Sequence, residues 1–336
     1  MPVKPWQVSG MRIHLQSPFN DPLFAFSRAQ WDAAAARAGA LGQGHQVSIG
    51  ETPAEGAAGL AEAEILVSDV AAIKAQLPLV APRLKIIQAT VAGIDALMPM
   101  DWLPPGIQVW TNRGIHGDKA GEFGIMSILM LASRIPEFVT NQRAGAWQKL
   151  YGSVLAGRRL TVIGLGALGG TSAMHARHFG MHVTGVRTTA TPHPACDRVV
   201  TEAELDSILP QTEFLLLAAP NTPATRGILN RRRMQLLPQG AGIVNIGRGA
   251  LIEQDALCDL LDSGHLGGAV LDVFTPEPIP EGHRLWTTKN LIASPHTCAD
   301  DPNTYNAYTL DTFFENLRAL NAGQTPPTIV NATRGY

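Results

Sequence analysis

Three stretches of the sequence place a residue able to bind an anion or carry a proton directly after a run of aliphatic residues. Val244-Asn245-Ile246-Gly247-Arg248-Gly249 follows one run, Leu271-Asp272-Val273-Phe274-Thr275-Pro276-Glu277-Pro278 the next, and Ser294-Pro295-His296-Thr297 the last. Arginine presents a planar fork of donors that matches a carboxylate. Histidine changes charge near neutral pH, so it can give and take a proton. Beyond the carboxyl ends of parallel strands, such side chains stand where ligands bind in open α/β sheets. Plainer readings exist for each: His296 as one of ten histidines, Arg248 as a surface arginine, Glu277 as a rigid loop residue between two prolines. Glycine on both sides of Arg248 favours a turn that hugs a ligand.

A fourth segment suggests what would act beside them. Arg159-Leu160-Thr161-Val162-Ile163 reads as a strand, followed at once by Gly164-Leu165-Gly166-Ala167-Leu168-Gly169 and a helix from Gly170 to Phe179. With 33 glycines in the chain a GxGxxG carries little weight alone; between a strand and a helix it points to a dinucleotide. Gly164 permits the tight turn, Gly166 lets a pyrophosphate approach the backbone, and Gly169 lets helix and strand pack closely. The next strand ends at Gly185-Val186-Arg187-Thr188-Thr189, where an NAD site normally carries Asp or Glu. No carboxylate occurs from His182 to Cys196, and Arg187 with Thr188 suits a 2′-phosphate. NADP(H) is the preferred cofactor on this reading and NAD(H) remains possible; a solvent-facing Arg187, indifferent to the 2′ position, is the alternative.

The elements that must position these residues alternate strand and helix almost throughout. Arg12 to Gln16, Gln46 to Gly50, Glu64 to Ser68, Leu84 to Ala89 and Ile107 to Trp110 read as strands, and Ser27 with Gln30 opens a helix as a capping box. A second series runs through Leu160 to Ile163, His182 to Val186, Glu213 to Ala218, Gly242 to Ile246, Gly268 to Leu271 and Leu291 to Ala293. These are continuous apolar runs, as expected for parallel strands covered on both faces. The fold class expected is α/β with two doubly wound parallel sheets. A break at Thr111-Asn112-Arg113-Gly114 separates the series. A helix from about Asp118 to Arg134 follows, apolar almost all round, and is expected to be buried between domains or subunits. A last helix after Pro302 runs to about Leu320 and is expected to pack back on the first series.

Composition agrees with two ordinary domains. The chain has 336 residues, a formal net charge of −2, 45% hydrophobic and 16% charged residues. That balance gives no electrostatic reason to expect a nucleic acid or an anionic membrane as partner. Cys196, Cys258 and Cys298 form no CxxC pair and cannot all pair within one chain, which fits a reducing cytoplasm. Met1 to Leu15 holds two prolines and no apolar run, so no secretory signal is expected, and Phe123 to Ala132 is too short to span a bilayer.

Taken together, GLGALG, the NIGRG turn, LDVFTPEP and SPH, in this order, resemble the D-isomer-specific 2-hydroxyacid dehydrogenase family, most of all its glyoxylate/hydroxypyruvate reductase branch. The 29 residues from Arg248 to Glu277 and the 19 from Glu277 to His296 are similar to that family's spacing. The resemblance extends from Val91-Ala92-Gly93-Ile94-Asp95 to the stretch from Asn316 to Asn331. It implies a flavodoxin-like substrate domain over residues 1–112 and 303–336 and a Rossmann nucleotide-binding domain over 113–302. It also implies hydride transfer between the cofactor and a small 2-keto or 2-hydroxy acid. Arg248 would hold the substrate carboxylate, helped by the backbone N–H groups of Ala92 and Gly93. His296 would be the acid–base and Glu277 would bond its other ring nitrogen. The active site would then exist only when the domains close and exclude water. Cofactor contacts are implied at Ala219, Pro220, Ile246, Gly247, Asp272 and His296 besides the glycine turn, with a structural strand-end role for Asp272 as the alternative. No catalytic metal is expected, and a homodimer is expected by analogy.

Transcriptional corepressors resemble the same family, so a catalytically weak nucleotide sensor is the second reading of the chain. Formate dehydrogenases share the Arg and His but carry Gln where Glu277 stands. Among the remaining features, Arg231-Arg232-Arg233 reads as a solvated helix face and Trp102 and Trp147 as core residues. Ser68 and Asp69 are possible substrate neighbours, and nothing marks Cys298 as a nucleophile.

Overall fold

The computed structural model describes residues 10–19 and 21–330. The Asn331 end of the family resemblance and most of the segment read for a signal lie outside these residues. The chain divides into two units, Met1–Ile115 with Asp301–Tyr336, and His116–Asp300.

In the first unit, the strands β1 (Arg12–Gln16), β2 (Gln46–Gly50), β3 (Ile65–Ser68), β4 (Ile86–Ala89) and β5 (Gln108–Trp110) form a parallel sheet. The order is β2-β1-β3-β4-β5, that of flavodoxin-like folds. Helices α1 (Arg28–Ala38), α2 (Pro53–Glu62) and α3 (Val70–Ala75) connect them. The capping box at Ser27 forms as read: its hydroxyl accepts from the Gln30 N–H, and the Gln30 side chain accepts from the Ser27 N–H. The C-terminal helix (Tyr305–Asn321) packs back on this unit as expected, with Phe313, Phe314 and Leu317 buried against Trp31 and Ile13. A buried amide network fixes it. Asn316 Nδ2 donates to Gln88 Oε1 at 3.2 Å and to Thr328 Oγ1 at 2.7 Å. Gln88 in turn donates to Asn112 Oδ1 at 3.1 Å.

The second unit opens with α4 (Gly117–Ala132) and α5 (Ile135–Arg143). The expected single helix stops two residues early because Arg134 takes a left-handed conformation (φ 59°), and Pro136 then starts α5. The buried stripe of α4 packs on helix α6 (Ala167–His178) of its own unit. A Cβ on Gly121 or Gly124 would stand 2.5 Å from Thr171 Cγ2 or 2.3 Å from Ser172 Oγ. This stripe is therefore buried within its own unit, while Met126 on the same helix is 44% exposed.

The second sheet contains β6 (Arg159–Ile163), β7 (His182–Val186), β8 (Arg198–Val200), β9 (Phe214–Leu217), β10 (Ala241–Asn245), β11 (Leu266–Leu271) and β12 (Leu291–Ala293). All are parallel, in the order β12-β11-β10-β9-β6-β7-β8. The Rossmann switch point thus falls between β6 and β9, and β10, β11 and β12 stand side by side. The short edge strand β8 is absent from the sequence reading; its Val200 carbonyl accepts from the Arg187 N–H at 3.1 Å. Between β9 and β10 lies α7 (Arg231–Leu236), and α8 (Gln254–Asp262) joins β10 to β11. The arginine run on α7 is not simply solvated. Arg231 pairs with Asp259, Arg232 with Asp206, and Arg233 with Asp206 and Glu202. Trp147 also departs from the core reading and is 96% exposed, whereas Trp102 donates its indole N–H to the Leu97 carbonyl and packs on the core of its unit. Among the described residues no single helix is long and apolar enough to cross a membrane.

The amide network predicts that Asn316→Ala will destabilise the protein by about 2 kcal/mol, because Gln88 and Thr328 lose buried partners. Urea unfolding checks this; a midpoint unchanged from wild type would show that the network contributes nothing.

Candidate active site

The site is built on the carboxyl edge of the second sheet. Register places Asn245, Leu271 and Ala293 level with one another on β10, β11 and β12, so the loops carrying Arg248, Glu277 and His296 emerge side by side. Buried Asn245 folds the first loop back. Its Oδ1 accepts from the Gly247 N–H at 3.1 Å and its Nδ2 donates to the Arg248 carbonyl at 3.0 Å. Gly249 then approaches the next loop so closely that a Cβ there would lie 2.0 Å from the Phe274 carbonyl carbon. The glycine after Arg248 is therefore needed for packing as well as for the turn. The Arg248 guanidinium is half-buried and donates through Nη1 to the Gly247 carbonyl at 2.7 Å.

Glu277 and His296 meet. His296 Nδ1 lies 2.8 Å from Glu277 Oε2, and Glu277 Oε1 accepts from the Phe274 N–H at 2.7 Å. An ionised carboxylate only accepts, so Nδ1 carries the proton and Nε2 is the nitrogen left for chemistry. The hydrogen bond to Glu277 raises the His296 pKa, against burial and the Arg248 charge, which lower it; Asp272 adds a smaller raising effect. Burial would raise the Glu277 carboxyl, but the bonds from His296 and Phe274 outweigh it and hold it below its ordinary value.

Asp272 is fully buried and holds the loop of His296. Its Oδ1 accepts from the Ser294 hydroxyl at 2.6 Å and the Thr297 N–H at 3.0 Å, and its Oδ2 from the Cys298 N–H at 3.1 Å. Its carbonyl accepts from the His296 N–H at 2.9 Å. These bonds fix His296 with φ at 57°, a region a side chain of this size seldom adopts. Burial and the neighbouring Asp272 push the Cys298 thiol well above its ordinary range, so it stays protonated.

The glycine turn lies at the switch point. Gly164 has φ 94°, and a Cβ there would stand 2.7 Å from the Ala219 nitrogen; one on Gly169 would stand 1.9 Å from the Gly164 carbonyl oxygen. At Gly166 a Cβ would meet nothing within 4 Å. Gly166 also caps α6 without any side-chain hydrogen bond, leaving the first-turn N–H groups to face a phosphate. A groove of about 770 Å³ adjoins the turn, lined by Leu165, Gly166, Ala167, Gly170, Met174 and His193 among others. These features fit a dinucleotide. Arg187 is half-buried and Thr188 exposed at the end of β7.

One residue escaped the sequence reading. Asn221, directly after Ala219 and Pro220, has its Oδ1 buried without a partner among the described residues. Nothing in its sequence context marks it, because an orphaned acceptor is visible only once the fold surrounds it. In the first unit, Asp69 accepts from the Ala72 N–H at 2.6 Å and caps α3, so it serves the helix. Ala92 and Gly93 lie in the turn after β4, and among the described residues neither N–H meets an acceptor.

Residues 125–298 match the family model for "D-isomer specific 2-hydroxyacid dehydrogenase, NAD binding domain". The chain is 32% identical over 253 residues to the glyoxylate reductase/hydroxypyruvate reductase of Homo sapiens, covering 73% of this chain and 76% of that one. A D-isomer specific 2-hydroxyacid dehydrogenase family protein from Aeromonas salmonicida superposes with a TM-score of 0.82 at 28% identity, over 96% of this chain and 99% of that one. A D-isomer specific 2-hydroxyacid dehydrogenase from Xanthobacter autotrophicus Py2, solved in complex with NADPH and MES, gives 0.78 at 27% identity, over 97% and 100%.

The orphaned acceptor yields a prediction. Asn221→Ala should leave the free protein's stability within about 0.5 kcal/mol of wild type. The same change should weaken nucleotide binding about tenfold, the loss of one hydrogen bond made only to the ligand. Fluorescence titration with the nucleotide decides it; unchanged affinity would remove Asn221 from the site.

Proposed function

Because the chain belongs to the D-isomer-specific 2-hydroxyacid dehydrogenase family, and is thus an NAD(P)-dependent oxidoreductase, we propose that it reduces a small 2-keto acid of the glyoxylate or hydroxypyruvate kind with NADP(H). The 2.8 Å bond between His296 and Glu277 carries the proposal, since it leaves Nε2 to face a substrate as a charged donor. The bound nicotinamide would supply the hydride. Arg248 grips the substrate carboxylate with its fork of donors, joined by the N–H groups of Ala92 and Gly93. His296 gives its Nε2 proton to the ketone oxygen, and takes it back in the oxidative direction. Glu277 keeps the imidazole charged and fixes its tautomer.

The turn from Gly164 through Leu165, Gly166, Ala167 and Leu168 to Gly169 holds the pyrophosphate, and Arg187 with Thr188 the 2′-phosphate. Ala219, Pro220, Ile246 and Gly247 line the rest of the cofactor site, while Asp272 serves chiefly through the loop it anchors. We further propose that the protein is cytoplasmic and a homodimer formed through the second unit, by analogy with the family.

Three measurements test this reading. NADPH should be oxidised by a panel of 2-keto acids much faster than NADH; equal rates would retire the Arg187 assignment, and nucleotide binding without turnover on any acid would favour a sensor. His296→Ala should cut kcat by about 10²–10⁴-fold while nucleotide affinity holds. Because reduction needs the imidazolium and Glu277 raises its pKa, activity should fall as pH rises through that value. Glu277→Gln should move this alkaline limb to lower pH, and an unmoved limb would exclude the role.

A further inference from the structure

The loop bearing Glu277 is largely exposed from Thr275 to Pro278, and Pro276 and Pro278 have no N–H to pin it. Besides the Glu277 bond to the Phe274 N–H, one side chain from the neighbouring connection pins it. Gln254 Nε2 donates to the Thr275 carbonyl at 2.7 Å, and Gln254 Oε1 accepts from the Thr275 N–H at 2.9 Å. Both polar backbone groups of Thr275 are thus held by one amide. Gln254 is the first residue of α8, a helix anchored by buried Ala256, Leu257, Leu260 and Leu261. It follows Arg248 in the same connection, whose Gly249 abuts Phe274. The segment that carries the arginine therefore grips the carboxylate's loop at two points.

We propose that Gln254 is a positioning residue that keeps the Glu277 carboxylate on His296 Nδ1. The inference rests on the acid–base reading of that pair. Without the clamp, the loop exchanges between conformations and Glu277 meets the imidazole only part of the time. Arg248 and Asp272 also face His296; the Gln254 amide bonds Thr275 in the loop of Glu277, so the change enters through Glu277.

The test is the titration of His296, followed in the full-length protein by imidazole NMR and assigned with the His296→Ala variant, alongside the pH profile of NADPH oxidation. Gln254→Met, which keeps the length of the side chain and removes both bonds, should lower the His296 pKa by about 0.5 unit or more and move the alkaline limb with it. Gln254→Ala should do the same, so a folding defect in one variant leaves the other to decide. A His296 titration unmoved in both variants, with Glu277→Gln still lowering it, would overturn the role of Gln254 alone. If Glu277→Gln also leaves the titration in place, the pair itself is misassigned and the acid–base reading falls with it.

Discussion

A buried carboxylate, in no salt bridge among the described residues, organises this site. Asp272 is 0% exposed, and a charge taken out of water is costly unless donors surround it. Here the donors come from the loop after the neighbouring strand: a hydroxyl from Ser294 and the N–H groups of Thr297 and Cys298. The cost of burying the anion is offset only while that loop wraps it. In the wrapped loop His296 lies in the left-handed region. The same bonds that solvate Asp272 hold this conformation, and the protonated Cys298 thiol adds no second negative charge beside it.

Sheet order converts that local device into a site. Since β10, β11 and β12 are neighbours and parallel, each residue placed a short distance past its strand end faces the next loop over. Arg248 is held by a turn that Asn245 braces from beneath, and Gly249 lets that turn lie against Phe274. Phe274 then gives its N–H to Glu277. The arginine, the carboxylate and the imidazole are linked through close packing and through side-chain hydrogen bonds, several of them to backbone groups of the neighbouring loop.

Much of this was legible in the sequence because its signals are local. Doubly covered parallel strands leave unbroken aliphatic runs, and GLGALG carries its constraint within six residues; the structure gives Gly164, Gly166 and Gly169 the surroundings that their spacing suggested. The pairing of Glu277 with His296 was implied by the family resemblance of their motifs, and the structure brings the two side chains together. What stayed hidden lies in contacts between distant residues. The Gln254 clamp spans 21 positions and the Asp272–Ser294 bond 22, and neither leaves a periodic trace. Strand β8 has three residues and an edge position, so no apolar run announces it. Arg231, Arg232 and Arg233 look like a solvated run until the acidic residues of other segments are brought beside them. Trp147 was misjudged because hydrophobicity reports a preference for burial and says nothing of whether the chain supplies a cover.

The electrostatics of the three side chains contain a conflict that a bound substrate would resolve. Arg248 lowers the proton affinity of His296, while Glu277 raises it. In the free site the two charges oppose each other across one imidazole. On the proposed reading, a substrate carboxylate on Arg248 would offset part of that lowering and leave the raising effects of Glu277 and Asp272 less opposed. If His296 is the acid proposed above, binding the anion would strengthen it and couple substrate charge to catalysis. An uncharged ketone or aldehyde would lack that effect even if it fitted the site. Discrimination between acids and neutral carbonyl compounds would then lie partly in the proton held by His296, in addition to the grip of Arg248.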